Sequence, residues 1–301
     1  MTQTTSPPVR LRAPDGFVLA ARHFTPTTTT PPARPAGAVV IASATGVKAT
    51  YYRRYAEFLA GHGFHAVTFD YRGVGESREP FAVARRARWA DWGALDADAV
   101  LGWARTRLPG PLLTVGHSFG GFGVGLADEA RHVARHVAVG GQHAHWRDYR
   151  ARPGRARMWA RWHAAMPAIT LARGHFPGRR LGWLEDLPRG VALDWARSRR
   201  DFTASARTTA GRDELRRRLA AFTADALIVA PVDDDFGTGA ALDRADAYSP
   251  GRRTVRWRVR PEELGVAEIG HFGLFHARFA PAFWPATLEW LRDGVAPAAA
   301  R

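Results

Sequence analysis

The apolar positions of this chain follow two rhythms. Short, nearly unbroken runs such as AGAVVIASA, HAVTFDYRG, LLTVGHS, VARHVAVGG and DALIVAPVD have the form of strands buried on both faces. Between them lie longer stretches, YYRRYAEFLAGHG and WADWGALDADAVLGWARTRLP, with apolar residues every three or four positions and a glycine or proline at the end. Strand and helix signals that alternate in this way predict an α/β protein, with a mostly parallel central sheet and helices on both faces. Ahead of it, Pro14-Asp15-Gly16 separates VRLRA from FVLAARHF and predicts an antiparallel hairpin. The Thr/Pro-rich TPTTTTPPARPAG suits neither a helix nor a central strand and is expected on the surface. PAFWPATLEWLRDG predicts the last helix, with Pro281 near its start and Gly294 after its end.

One interval departs from the alternation. From 143 to 218 no strand pattern is found, arginine is frequent, and five tryptophans occur: Trp146, Trp159, Trp162, Trp183 and Trp195. The expectation is a helical cap inserted into a core formed by residues 1–142 and 219–301, placed where connections leave the strand ends. Its stretch RDYRARPGRARMWARWHAAMPAITLARGHF interleaves arginine with Trp, Met, Ile and Leu, which predicts amphipathic helices with an apolar side toward the sheet.

At 301 residues, 46% of them hydrophobic, the chain supports one large core. It has no cysteine, which excludes disulfides, thiolate metal ligands and a cysteine nucleophile. The formal net charge of +15 on its own suggests nucleic acid or anionic membranes as partners. The distribution argues otherwise: Lys48 is the only lysine, arginine is spread along the chain, and no nucleic-acid module accompanies it. The opening MTQTTSPPVRLRAPDG has no apolar core of the signal-peptide kind, and no run approaches membrane-spanning length. A cytoplasmic protein without stable membrane insertion is expected.

Chemistry enters at LLTVGHSFGGFGVG, residues 112–125. Ser118 stands between Gly116 and Gly120, with Gly121 following, where a predicted strand meets a predicted helix. Small residues two before and two after a serine permit the sharp bend that presents a hydroxyl at the C-terminal edge of a sheet. A plain glycine-rich turn has the same composition, so the functional reading must meet a further demand. A serine hydroxyl is a poor nucleophile at neutral pH and needs a histidine base oriented by a carboxylate; on such a scaffold the order is serine, acid, histidine.

Candidates stand in that order. Asp233-Asp234-Asp235-Phe236 leaves the end of the strand DALIVAPV, and Glu268-Ile269-Gly270-His271-Phe272-Gly273 forms a glycine-flanked loop before the last helix. The other reading of the aspartates is a turn that caps the helix GTGAALDRADAY. His132 and His136 are four apart but lack the glutamate of a zinc-protease helix, and no metal is implied. The glycines of FDYRGVGES and GGFGVG lack the acidic partner of a dinucleotide site, so no cofactor is expected.

With these motifs in view, the sequence resembles the α/β-hydrolase superfamily over most of its length. GHSFGG at 116–121, FDYRGVGES at 69–77, DDDFG at 233–237 and IGHFG at 269–273 carry the likeness. It is most similar to bacterial predicted hydrolases of the serine aminopeptidase and monoacylglycerol lipase-like branch, in which an opening like VVIASATGVKATYYRRYAEFLA and a cap ending like FPGRRLGWLEDLPRGVALDWAR recur. The resemblance implies the α/β-hydrolase fold with Ser118 as nucleophile and His271 as general base. It favours Asp234 as the acid, because Asp234-Asp235-Phe236 fits the frame of acid, any residue, then an aliphatic or aromatic one; Asp233 is the alternative. It also implies two oxyanion donors. One is the Phe119 N–H. The other comes from the loop after AGAVVIASA, where Thr45-Gly46-Val47 stands in place of the family's His-Gly-donor and points to the Val47 N–H.

The implied activity is that of a serine hydrolase cleaving a carboxylic ester through an acyl-enzyme, with amide and thioester bonds as alternatives. An acyltransferase on the same triad, or a catalytically silent binding protein on the same scaffold, would carry the same motifs. The expected partner is a small acyl substrate with an apolar part, taken up among the tryptophans of the insertion, which otherwise serve only to anchor it. Nucleic acid is not expected, and the oligomeric state stays open. The nine arginines from Arg147 to Arg180 fit a solvated face, with an anionic substrate or a lipid surface as the alternative.

Overall fold

The apolar runs become strands of a single eight-stranded sheet. The protein is described by a computed structural model over residues 8–27, 36–78, 84, 86–150 and 154–300. Most of the Thr/Pro-rich stretch, and residues 151–153 of the predicted amphipathic segment, lie outside the described residues. The strands are β1 (Pro8–Arg12), β2 (Val18–Phe24), β3 (Ala38–Ala42), β4 (His65–Phe69), β5 (Leu112–His117), β6 (Val133–Val139), β7 (Asp225–Pro231) and β8 (Thr254–Val259). Their order across the sheet is β1-β2-β4-β3-β5-β6-β7-β8. β1 and β2 form the expected hairpin, β2 runs antiparallel to β4, and all other pairs are parallel.

The helices are α1 (Arg53–Gly61), α2 (89–107), α3 (Phe119–Gly123), α4 (154–173), α5 (Arg189–Ala196), α6 (Thr209–Ala221), α7 (Gly239–Asp246) and α8 (Trp284–Asp293). Side-chain alternation along β3 shows how the layers form. Val39 and Ile41 pack with Tyr55 and Leu59 of α1 and with Trp284 and Leu288 of α8. Ala38, Val40 and Ala42 point to the other core, shared with Trp92, Val100 and Leu101 of α2 and Leu215 and Leu219 of α6. Both faces are therefore dry, which is why the central strands read as continuous apolar runs.

Among the described residues of 143–218 the regular elements are helices, with one antiparallel bridge between Phe176 and Leu187. α6 runs across residue 218, so the chain returns to the sheet only after Ala221. The last helix begins at Trp284 rather than near Pro281, and Pro285 occupies its first turn, where a missing N–H costs nothing. Thr238, not the upstream aspartates, caps α7 by accepting from the Ala241 N–H at 3.3 Å. Among the described residues no helix is long and apolar enough to cross a membrane.

Buried His136 of β6 ties the sheet to the bend after β5. Its Nε2–H donates to the Gly121 carbonyl at 3.0 Å, and its Nδ1 accepts from the Thr114 hydroxyl at 2.8 Å. The bond at Nδ1 needs the neutral ring, and burial holds its pKa down to about 3. The unfolded chain takes up this proton near pH 6.5 and the native state does not, so the contribution to stability is complete above pH 6.5 and falls as the pH drops toward 3. Urea unfolding at pH 7.0 and 5.5 should show lower stability at the acid pH. In His136→Gln that difference should shrink by about 1 kcal/mol.

Candidate active site

The serine predicted from the glycine pattern sits at the tip of the bend between β5 and α3, with φ +54° and ψ −122°. A non-glycine residue in that region costs about 1–3 kcal/mol and persists only where its surroundings hold it. Here the Ser118 N–H donates to the Val139 carbonyl at 2.8 Å, and the Ser118 carbonyl accepts from the Gly121 N–H at 3.0 Å. The flanking glycines provide space. A Cβ on Gly120 would lie 2.2 Å from the Ala42 carbonyl oxygen at the end of β3, and one on Gly116 would lie 2.4 Å from the Gly120 carbonyl oxygen. The serine bears the strain, and the glycines let α3 close against β3.

The parallel strands deliver the remaining candidates to the same edge. Asp234 follows β7 and His271 lies in the loop after β8. His271 Nδ1 is 2.8 Å from Asp234 Oδ2, so the ring donates there and presents Nε2 as its free lone pair. The second oxygen of Asp234 accepts the amides of Phe236 and Gly237, both at 2.7 Å. Burial works against the ionised form of Asp234, but the adjacent His271 ring and these amides outweigh it and hold the pKa below the usual carboxylate value.

Asp233 has a different task. Its Oδ2 accepts the backbone amides of Ile269 and Gly270 at 2.8 and 3.1 Å, which fastens the histidine loop to the end of β7. Neighbouring carboxylates thus hold the ring and the backbone of one loop. Asp235 is exposed.

Three further polar residues reach the site without having been singled out in the sequence. His117 is fully buried; its Nε2–H donates to the His271 carbonyl at 2.9 Å, and its Nδ1 accepts from the Tyr52 hydroxyl at 2.7 Å. Tyr52 in turn accepts the Ala44 N–H at 3.0 Å, linking the loop after β3 to the histidine loop. Desolvation keeps the His117 pKa near 3, so this connection stays neutral at physiological pH. Gln142, just beyond β6, donates from Nε2 to Ser118 Oγ at 3.3 Å, and its Oε1 accepts the Ala144 N–H, which fixes which end of the amide meets the serine. Among the described residues no hydrogen bond joins Ser118 to His271, although both line the same cavity. The only local signals for these residues were the histidine directly before the serine and a polar residue directly after the Gly140-Gly141 pair.

The expectation for Val47 is corrected. Its N–H closes a turn onto the Ala44 carbonyl at 3.2 Å, and Val47 is not part of the cavity wall. Thr45 is on that wall, and among the described residues its N–H has no protein acceptor. Trp89 Nε1 steadies it by donating to the Thr45 hydroxyl at 3.1 Å. Phe119, as expected, follows the serine directly at the first position of α3, where no intrahelical acceptor exists for its N–H.

Above these groups lies a cavity of about 310 Å³ whose apolar wall includes Trp89, Trp162, Trp183, Trp195, Phe236 and Phe272. Three of the five insertion tryptophans thus line the pocket, whereas Trp159 is 43% exposed. The rings of Phe119 and Trp89 stack at 4.5 Å, Trp89 and Trp195 at 6.1 Å, and Trp195 and Trp162 at 4.7 Å. A near-parallel column of aromatic rings therefore runs from beside the serine into the insertion.

Strand order and the gathering of these residues at the strand ends define an α/β-hydrolase fold. The chain belongs to the serine aminopeptidase S33 family of hydrolases, which it matches over residues 33–228. Among solved structures it is similar to DcsB in complex with its substrate analogue, with a TM-score of 0.62 at 16% identity, covering 96% of this chain and 99% of the other. An esterase from Exiguobacterium antarcticum aligns with a TM-score of 0.58 at 16% identity, covering 95% and 99% of the two chains. A monoacylglycerol lipase from Paleococcus ferrophilus aligns at 0.54 and 14% identity, covering 92% and 99%. At such identities the likeness concerns the fold. No curated protein matches the chain by sequence.

The two bonds at Asp233 generate a structural prediction. In Asp233→Ala the amide hydrogens of Ile269 and Gly270 should exchange with solvent much faster, and stability should fall by about 2–3 kcal/mol, as expected when bonds to a charged acceptor are lost. Site-resolved hydrogen exchange and urea unfolding measure both.

Proposed function

We propose that the protein is a serine hydrolase that cleaves carboxylic esters through an acyl-enzyme, with Ser118 as nucleophile, His271 as base and Asp234 as the orienting acid. The observation that carries this reading is the 2.8 Å bond from His271 Nδ1 to Asp234, in a loop whose histidine shares a cavity wall with Ser118. His271 Nε2 takes the hydroxyl proton as Ser118 Oγ attacks the carbonyl, then returns it to the leaving alcohol. Ionised Asp234 keeps the ring in the required tautomer and stabilises the imidazolium that forms. Water, activated by the same ring, then releases the acid and restores the serine.

Charge developing on the carbonyl oxygen is met by the N–H groups of Phe119 and Thr45, the latter in place of Val47. The Ser118–His271 hydrogen bond forms as substrate enters and Ser118 Oγ turns from Gln142, in keeping with the loose geometry common in unliganded hydrolases. Residues 143–218 act as a cap over the core, and their tryptophans exclude water from the apolar part of the substrate.

A fluorophosphonate probe should label the wild type and leave Ser118→Ala unlabelled, with p-nitrophenyl hexanoate turnover falling at least about 10³-fold in that variant. A folded wild type that resists the probe would overturn the reading. The division between the carboxylates is tested with the same ester. Asp234→Asn should lower kcat by about 10³-fold or more, because the ring loses its tautomer control; Asp233→Asn should cost less than about 20-fold. Equal losses would remove Asp234 from its role.

A further inference from the structure

Two arginines interrupt the aromatic wall of the cavity. Arg157 and Arg161 are four residues apart on α4 and therefore share one face of that helix, and both line the cavity that holds Ser118 and His271. The Arg161 guanidinium lies over the rings of Trp183 at 4.1 Å and Trp162 at 5.2 Å. Stacking engages the flat faces of a guanidinium and leaves its in-plane N–H donors directed outward.

Some arginines that touch the insertion are paired, Arg88 with Asp194, Arg244 with Asp148 and Arg218 with Glu214, but only Arg157 and Arg161 stand on the wall of this cavity. Among the described residues no carboxylate reaches ion-pairing distance of Arg157 or Arg161. The one carboxylate on the cavity wall, Asp235, has its nearest cation in Arg150 at 3.9 Å. A largely apolar pocket, with Asp235 as its one carboxylate, therefore presents two cations on one helix face that have no carboxylate at ion-pairing distance.

We infer that the cavity selects esters whose acyl arm ends in an anion, such as the half-esters of dicarboxylic acids, with the terminal carboxylate on Arg157 and Arg161 and the methylene chain against the tryptophans. This inference rests on the serine-hydrolase reading of the same site. A planar guanidinium receives a carboxylate through paired N–H donors, whereas a neutral arm would leave those in-plane donors to water. Both arginines are exposed at the cavity mouth, so solvent and salt screen the attraction and the gain is moderate.

The test compares mono-p-nitrophenyl esters of adipic, suberic and sebacic acids with the same esters capped by a methyl group at the far carboxylate. At low ionic strength the anionic member of the best-fitting pair should have about a tenfold higher kcat/KM, mostly through KM, and the ratio should fall to about two in 1 M sodium chloride. In the double variant R157Q/R161Q the ratio should drop to one or below, and R157K/R161K should recover part of it. A wild-type ratio at or below one, or a ratio unchanged in R157Q/R161Q, overturns the inference while turnover of both esters leaves the hydrolase reading standing. Failure of the wild type to cleave either ester or to take up the fluorophosphonate overturns that reading, and this inference with it.

Discussion

The arrangement depends on one close approach. The first turn of α3 comes so near the end of β3 that a single methyl group at residue 120 would collide with the Ala42 carbonyl oxygen. Absence of that methyl lets the chain reverse directly out of β5, and the reversal forces Ser118 into its left-handed conformation. The same contact sets the loop after β3 beside the serine, bringing the N–H groups of Thr45 and Phe119 to the same edge of the sheet. Chain geometry, more than side-chain affinity, sets these two amides beside the serine.

Around this fixed point the polar groups distribute their work in pairs. Asp234 holds the ring of His271 and Asp233 the amides of Ile269 and Gly270 just before it, so the loop cannot shift without breaking bonds to two carboxylates on successive residues. His117 and Tyr52 secure the loop from the other side. His117 is held by a donor and an acceptor that match its neutral ring, and His271 keeps Nδ1 on Asp234 with Nε2 free. The insertion adds the column of rings from Phe119 to Trp162, which couples the serine bend to α4 through contacts that require parallel faces.

What could be read from the chain alone was whatever a local pattern encodes. The unbroken aliphatic runs, the glycine spacing around Ser118 and the glycine-flanked His271 each declare themselves within a few residues, and their order along the chain follows from parallel strands ending at one edge. The family resemblance favours Asp234 over Asp233, and the structure brings Asp234 to the ring while Asp233 points to the loop backbone instead. Val47 was out of reach of such counting. Whether its N–H is free depends on a turn closed back onto Ala44, and that turn takes up the donor two residues beyond Thr45. Gln142 was equally hidden, since only the folding of β6 alongside β5 brings it to the serine.

The compositional bias toward arginine has a practical side. Of the lysine and arginine side chains all but one are guanidinium groups, which do not acylate under mild conditions, and the exception is Lys48, whose ammonium meets Glu185 at 3.2 Å. Glu185 belongs to the insertion and Lys48 to the loop that carries Thr45, so the single side-chain amine lies on the seam between the two. A dye attached by ordinary amine chemistry would therefore take up one defined side-chain position without mutagenesis, three residues from Thr45.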